Sequence, residues 1–265
     1  MKAEPDNSEL MIKDITVRFG GLTALNKISM EIKDGEIRGL IGPNGSGKST
    51  MLNVISGIYR PLPEDGGSVR FRGKDLLELK PHQIPMVGVG RTFQNICILK
   101  GMTVLENVLT GLHRGIGTGD FSFIFSPRKT RLMEEEAKNK VFEILKFIRM
   151  ESYWDHIATD LSFGNQRLVE LARTLVVSPT LLLLDEPAAG LSQMEVGLLK
   201  ELIKKIQEDK SVTILLVEHV MDLVMEVSDT VSVLDFGVKI AEDKPGEVKR
   251  DPKVIEAYFG KSEEA

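Results

Sequence analysis

A short segment in the first quarter of the chain has the composition of a phosphate-binding loop. It reads Gly42-Pro43-Asn44-Gly45-Ser46-Gly47-Lys48-Ser49-Thr50 and lies between an apolar run, Ile37 to Ile41, and a segment with helical spacing. Glycines let backbone N–H groups surround phosphate oxygens, and the following helix directs its positive end at the same charge. We expect Lys48 to bridge the β- and γ-phosphates of a nucleoside triphosphate and Ser49 to ligate Mg²⁺.

Two carboxylates after a second apolar run form the other candidate chemical group. Leu181 to Leu184 predicts a buried strand, and Asp185 and Glu186 follow it directly. Ligands bind at the carboxyl ends of strands in open α/β sheets, so both side chains should lie near the phosphate loop. We expect Asp185 to hold Mg²⁺ and Glu186 to act as general base on the attacking water. Without a phosphate loop, the same pair would also fit two solvated charges at a strand end.

The elements that must position these residues follow from hydrophobic periodicity. Residues 10 to 40 alternate apolar and polar positions, which predicts antiparallel strands, whereas the pattern becomes helical from about 104 to 160. Beyond Leu161 the pattern alternates between helix and strand, which predicts a mostly parallel sheet. The predicted helices after this point cover 166–177, 193–209 and 220–227, and the predicted strands cover 181–184 and 213–217.

These elements predict an α/β fold with a phosphate-loop NTPase core, an N-terminal antiparallel β subdomain and an inserted α-helical subdomain. We interpret residues 1–265 as a single nucleotide-binding domain; kinases, GTPases and motor ATPases also contain phosphate loops, so these elements alone do not decide its class. Its parts are the β flank with the phosphate-loop half of the core at 10–100, the helical subdomain at 101–160, the second half of the core at 161–250, and a C-terminal helix and tail at 251–265.

Composition excludes several classes of protein. No apolar run approaches the roughly 20 residues of a membrane-spanning helix, and the polar segment Met1 to Glu9 does not have the pattern of a secretory signal. The net charge of −5 gives no general basic surface for nucleic acid. The single cysteine, Cys97, excludes an internal disulfide and fits a reducing compartment. We therefore expect a cytoplasmic protein with no nucleic-acid partner.

The segment Leu161-Ser162-Phe163-Gly164-Asn165-Gln166 resembles the signature motif of ATP-binding-cassette (ABC) ATPases, usually written LSGGQ. At a helix start, the Ser162 hydroxyl and the Gly164 amide would offer hydrogen bonds and the helix dipole to an anion. The resemblance implies that Ser162, Gly164 and Gln166 contact the γ-phosphate bound by the opposite subunit. Phe163 and Asn165 depart from the usual motif, and an ordinary serine N-cap is the alternative interpretation.

Other positions resemble further motifs of the ABC family in the expected order. Phe19 resembles the aromatic residue that stacks on adenine, and Gln94 the glutamine that reaches Mg²⁺ and the attacking water. His219, which follows the predicted strand ending at Val217, resembles the histidine that contacts the γ-phosphate. Ser192 stands where the family often has an aspartate at the dimer contact, so this chain departs from the family pattern at that position. The implied cofactors are ATP and Mg²⁺.

Over nearly its whole length the chain resembles the larger ATPase subunit of branched-chain amino acid importers. Three short segments carry this resemblance: Glu186-Pro187-Ala188-Ala189-Gly190-Leu191, Val217-Glu218-His219, and Val254-Ile255-Glu256-Ala257-Tyr258-Phe259-Gly260. The ending also resembles the lipopolysaccharide-export ATPase. The segment His113 to Arg131, with Phe121, Phe123, Ile124 and Phe125, favours the importer because the shorter export ATPase lacks it.

The importer resemblance implies two integral membrane permease subunits, an external substrate-binding protein acting indirectly, and a location on the inner face of the cell membrane. The working pair would be two copies of this chain or this chain with a paralogous ATPase. A soluble ABC ATPase of DNA repair or translation is disfavoured, since the chain has neither a second cassette nor a long coiled-coil insertion. A regulatory module without hydrolysis is disfavoured because Glu186 and His219 are both present.

Overall fold

The computed structural model describes residues 8–115 and 127–259. Its strands, in chain order, are β1 (Ser8–Phe19), β2 (Leu22–Lys33), β3 (Ile37–Ile41), β4 (Ser68–Phe71), β5 (Lys74–Asp75), β6 (Val89–Arg91), β7 (Leu181–Asp185), β8 (Thr213–Val217), β9 (Thr230–Asp235) and β10 (Val238–Asp243). Its α-helices are α1 (Lys48–Ile55), α2 (Val104–Leu109), α3 (Pro127–Phe147), α4 (Phe163–Leu175), α5 (Gln193–Lys210), α6 (Met221–Val227), α7 (Pro245–Val248) and α8 (Pro252–Phe259).

No helix in the described ranges is both long enough and apolar enough to cross a membrane. The apolar residues that support the importer interpretation, Phe121, Phe123, Ile124 and Phe125, lie outside the described residues. The same holds for most of the polar N-terminal segment and for the residues after Phe259.

The chain divides into two compact units. The first comprises Met1–Arg91, Thr180–Ala188 and Val196–Ala265, and the second comprises Thr92–Pro179 and Ala189–Glu195. The second unit contains α2, α3 and α4 and is largely helical. The limits of 101 and 160 for the helical subdomain stay a prediction.

The first unit contains two sheets. One is antiparallel with the order β2-β1-β4-β5, as the alternation in residues 10 to 40 predicts. The other has the order β10-β9-β3-β8-β7-β6, in which only β10 runs antiparallel to its neighbour. The predicted α/β fold class, with a mostly parallel sheet and an antiparallel flank, is confirmed.

A continuous apolar core joins both sheets of the first unit to α1. The core contains Ile12 from β1, Leu52 from α1, Leu183 from β7 and Leu215 from β8, each with no more than 2% of its surface exposed. Strands β3, β7 and β8 have five residues each, and every one of these residues is buried, as expected for parallel strands covered on both faces. This packing fixes the positions at which these three strands end.

Helix α4 begins earlier than periodicity predicts, and α1 begins within the phosphate-loop motif itself. Helix α1 starts at Lys48, directly after Gly47, whose φ of 104° lies in the left-handed region that favours glycine. Helix α4 starts at Phe163 and not at the predicted Gln166, because the Ser162 side chain caps it by accepting a hydrogen bond from the Asn165 amide at 3.3 Å. Each helix therefore includes in its first turn residues that the sequence assigns to phosphate binding.

Candidate functional site

The carboxyl ends of three neighbouring parallel strands bring the candidate residues of the first unit together. Strand β8 pairs with β3 on one side and with β7 on the other. The phosphate loop follows β3, Glu218 and His219 follow β8, and Glu186 follows β7. This edge of the sheet is where open α/β folds bind ligands.

The phosphate loop is held by its neighbours in the first unit. The Gly237 amide, in the turn between β9 and β10, donates to the Ser46 carbonyl at 3.0 Å. A Cβ atom on Gly47 would lie 2.6 Å from the Ala24 carbonyl oxygen, so the backbone of β2 approaches too closely for any side chain. Asn44 and Gly45, at the tip of the loop, are exposed. The loop is therefore fixed at its base and open at its tip.

The Lys48 ammonium is buried within the loop. Its Nζ donates to the Gly42 carbonyl at 2.8 Å and to the Pro43 carbonyl at 2.9 Å. Burial lowers the pKa of Lys48, while the nearby carboxylates of Glu186 and Asp185 act in the opposite direction. A cation held in this position is suited to bind the phosphate oxygens of a nucleotide.

The Asp185 carboxylate is fixed by an arginine that sequence reasoning missed. Arg91, at the end of β6, donates from Nη2 to Asp185 Oδ2 at 3.0 Å. Its Nη1 donates to Asn53 Oδ1 and to Ser56 Oγ, both at 2.9 Å, which anchors the guanidinium to α1 and its C-terminal end. No local pattern could reveal this arginine, because Arg91 and Asp185 are far apart in the chain.

The residues predicted to hold Mg²⁺ in the first unit have suitable donor atoms. Ser49 is exposed in the first turn of α1 and offers a hydroxyl oxygen, and Asp185 offers a carboxylate oxygen. Mg²⁺ prefers oxygen ligands and is often bound by one or two protein groups together with substrate phosphates. The donor chemistry of these two residues therefore fits Mg²⁺.

Glu186 and His219 are in direct contact. Glu186 Oε1 lies 2.7 Å from His219 Nε2, with side-chain exposures of 13% and 39%. The Glu186 amide donates to the Val217 carbonyl at 2.8 Å, which ties the residue to the end of β8. Its φ of 48° is left-handed, an unfavourable conformation for a residue with a side chain. The backbone thus holds this carboxylate in a defined place beside the imidazole.

Glu218, which was not among the predicted site residues, accepts hydrogen bonds from backbone amides of the segments that contain Glu186 and His219. The residue is 2% exposed, and its Oε1 accepts from the Ala188 amide at 2.6 Å. Its Oε2 accepts from the amides of His219 at 2.8 Å and Val220 at 3.2 Å. The signal available in the sequence was an acidic residue directly after a buried apolar strand.

Phe19 lies at the end of β1 with 45% of its surface exposed. Tyr59 packs against it edge to face, with ring centroids 5.0 Å apart and an interplanar angle of 72°. The preceding residue, Arg18, forms an ion pair of 2.6 Å with Asp65. The Tyr59 contact therefore supports the Phe19 ring while nearly half of the residue stays accessible.

The second unit contains the remaining predicted residues, Gln94 and the signature motif. Ser162 caps α4 and Gly164 lies in the first turn of that helix. Gln94 is exposed, and its carbonyl accepts from Arg167 Nη2 at 2.9 Å. The Gln166 side-chain amide donates to the Leu161 carbonyl at 2.9 Å and to the Thr159 carbonyl at 3.2 Å, so it braces the loop before the helix.

Ser192 directly precedes α5 and forms local hydrogen bonds with Glu195. Its hydroxyl and its amide donate to Glu195 Oε2 at 2.7 and 2.8 Å, an arrangement that stabilises a helix N-terminus. The Glu195 amide also donates to the Ser192 hydroxyl at 3.4 Å, so this serine caps the N-terminus of α5.

Comparison with protein families gives two matches. The family described as ABC transporter matches residues 25–189. The family described as branched-chain amino acid ATP-binding cassette transporter matches residues 238–264.

Curated relatives align over almost the whole chain. The high-affinity branched-chain amino acid transport ATP-binding protein LivG of Salmonella typhimurium is 40% identical over 96% of this chain and 98% of its own length. The corresponding protein BraF of Pseudomonas aeruginosa is 38% identical with the same coverage. A probable LivG of Methanocaldococcus jannaschii is 38% identical over 95% of this chain and 97% of its own.

Solved structures of ATP-binding cassettes are also similar to this chain. An ATP-binding cassette of an ABC transporter in its ADP conformation has a TM-score of 0.82 at 35% identity, covering 96% of this chain and 99% of that one. A nucleotide-free ATP-binding cassette from an ABC transporter has a TM-score of 0.80 at 36% identity, covering 96% and 100%.

Proposed function

Because the chain belongs to the ABC transporter family of ATPases, we propose that it hydrolyses ATP to drive import of branched-chain or related amino acids. The observation that carries this proposal is the match of residues 238–264 to the branched-chain amino acid family. That match lies outside the general ABC region at 25–189 and therefore supports the subfamily independently of the phosphate loop.

Within the first unit, each residue of the site has a distinct part in hydrolysis. Glu186 removes a proton from the attacking water, and His219, hydrogen-bonded to it, orients the carboxylate and contacts the γ-phosphate. Lys48 binds the β- and γ-phosphates. Mg²⁺, held by Ser49 and Asp185, would neutralise charge on the phosphate oxygens. Gln94, which belongs to the second unit, is proposed as a further oxygen ligand only because it resembles the family's glutamine. Arg91 and Glu218 keep Asp185 and His219 in place.

The proposed assembly is a head-to-tail pair of ATPase subunits on the cytoplasmic face of a membrane. Ser162 and Gly164 of one subunit, at the positive end of α4, bind the γ-phosphate held by the other subunit. ATP binding closes the pair and hydrolysis opens it. Two permease subunits convert this motion into transport of a substrate delivered by an external binding protein.

Replacing Phe19 with alanine should weaken ATP binding by about 3- to 10-fold, because an aromatic pair contributes about 0.5–1.5 kcal/mol beyond the area it buries. Isothermal titration with Mg-ATP measures this change. Inorganic tripolyphosphate, which has no base to stack, should bind the variant and the wild type equally.

Phe19→Tyr is the matched control, since tyrosine keeps an aromatic face at the end of β1 and should keep wild-type affinity. Equal ATP affinity of Phe19→Ala and wild type would contradict the stacking role. A parallel loss of tripolyphosphate affinity would instead indicate damage to the phosphate loop.

The importer proposal predicts the partners of this chain. The chain is tagged at its N-terminus, expressed in its own cells, and purified from membranes in a mild detergent. We expect mass spectrometry to identify two multi-span permeases and a second ABC ATPase or further copies of this chain. Vesicles containing the purified complex and its binding protein should take up radiolabelled leucine, isoleucine or valine when ATP is supplied at the cytoplasmic face.

Other outcomes separate the alternatives. Recovery of lipopolysaccharide-export subunits would contradict the import function and support a function in lipopolysaccharide export. Recovery of soluble partners alone, in a preparation in which an unrelated membrane complex stays intact, would contradict a transport role and leave the ATPase activity unaffected.

A further inference from the structure

A buried arginine of α4 holds the segment that contains Gln94. Arg167 is 4% exposed, and its guanidinium donates from Nη1 to the Phe93 carbonyl at 2.8 Å and from Nη2 to the Gln94 carbonyl at 2.9 Å. The planar, forked guanidinium is well suited to bind two adjacent acceptors at once. All three residues belong to the second compact unit.

Glu170, one turn further along α4, completes the arrangement. It is 1% exposed, its Oε2 accepts from Arg167 Nη1 at 3.2 Å, and its Oε1 accepts from the Phe93 amide at 3.4 Å. Burial raises the pKa of Glu170, and Arg167 opposes this effect. The two side chains together therefore hold both the amide and the carbonyl of Phe93.

Stability alone is a weak explanation for this buried ion pair. Removing two charges from water is unfavourable, and well-packed apolar residues at such positions are often equally stable or more stable. A role in fixing the position of a functional segment explains why charged groups that bind backbone atoms occupy this site.

We infer that Arg167 and Glu170 are positioning residues that fix the Gln94 segment to the helix carrying the signature motif, so that the two segments respond to ATP together. Ser162 caps the first turn of this helix and Arg167 lies in its second turn. This inference rests on the proposed function, in which Gln94 acts on the nucleotide of its own subunit and Ser162 on that of the opposite subunit. A rigid connection between them gives a physical route for coupling the two ATP sites.

Arg167→Lys tests this inference, because lysine replaces the rigid planar fork by one compact ammonium on a flexible stem, which holds the Phe93 and Gln94 carbonyls less firmly. We expect kcat for ATP to fall about tenfold and the Hill coefficient for ATP to fall toward 1, with ATP affinity within about twofold of wild type. Arg173→Lys is the matched control: it makes the same substitution at another cation of α4 near Glu170 and leaves the fork intact. This control should retain wild-type kinetics.

A spectroscopic measurement follows the segment directly. Cys97 is exposed, is the single cysteine of the chain, and lies shortly after Gln94. A nitroxide attached to Cys97 should become more mobile in Arg167→Lys and not in Arg173→Lys. Circular dichroism and thermal melting establish that both labelled variants are folded.

A double variant separates positioning from general structural support. If Arg167 acts through Gln94, the two substitutions should not be additive. The double variant Gln94→Ala/Arg167→Lys should have a kcat less than about twofold below that of Gln94→Ala alone, and not a further tenfold below it. Wild-type kcat and wild-type label mobility in folded Arg167→Lys would overturn the inference, as would fully additive losses in the double variant. Absence of ATP turnover in the wild-type complex would contradict the proposed function and not this inference.

Discussion

Replacing Glu186 with glutamine should lower kcat by about 100-fold or more, because a general base typically contributes 10²- to 10⁴-fold to the rate. Glutamine has nearly the same shape and can still hydrogen-bond to His219, but its neutral amide cannot accept the proton of the attacking water. ATP affinity should stay within about threefold of wild type, since the phosphate loop is unchanged. Single-turnover hydrolysis and equilibrium ATP binding measure the two quantities separately.

Glu208→Gln is the matched control for this experiment. Glu208 is an exposed residue of α5, so the same exchange of carboxylate for amide should leave kcat unchanged. Hydrolysis by Glu186→Gln at the wild-type rate would contradict the assignment of the general base. Loss of ATP binding in that variant would indicate that Glu186 supports the nucleotide site and not the proton transfer alone.

Lys48→Ala should weaken ATP binding by about 100-fold, since hydrogen bonds from a charged group are each worth about 1.5–3 kcal/mol and 1.4 kcal/mol is tenfold in affinity. The ammonium is 5% exposed and lies inside the phosphate loop, where water replaces it poorly. Titration calorimetry measures the change, and ATPase activity should be lost at ATP concentrations that saturate the wild type.

Lys204→Ala, at an exposed position of α5, controls for the loss of a lysine elsewhere in the first unit. A melting curve is needed as well, because alanine leaves the Gly42 and Pro43 carbonyls without the donor that Lys48 supplies. Wild-type affinity in a folded Lys48→Ala protein would exclude this lysine as a phosphate ligand.

Sequence reasoning succeeds where function depends on neighbouring residues. The phosphate loop, its preceding strand β3 and its following helix α1 are contiguous in the chain, so spacing alone predicts their order. The same holds for the buried strand β7 and the carboxylate at its end. Parallel strands buried on both faces have continuous apolar sequences, which made β7 and β8 straightforward to predict.

Sequence reasoning fails where a residue acts through a distant partner. Arg91 contacts Asp185, and Arg167 contacts Gln94, but the chain between the members of each pair contains several other elements. Helix starts were misplaced for a different reason. Gly164 and Asn165 have low helix propensity, yet the Ser162 cap allows α4 to begin before them.

In the proposed mechanism, the left-handed backbone at Glu186 sets ATPase activity against thermal stability at a single position. Glycine is the residue best adapted to this conformation, and a side chain there is disfavoured by about 1 kcal/mol or more. An engineer who selected only for heat resistance would therefore replace the carboxylate that we propose as the general base. Under the proposed assignment, a related cassette that has glycine at this position should be more resistant to heat and should not hydrolyse ATP.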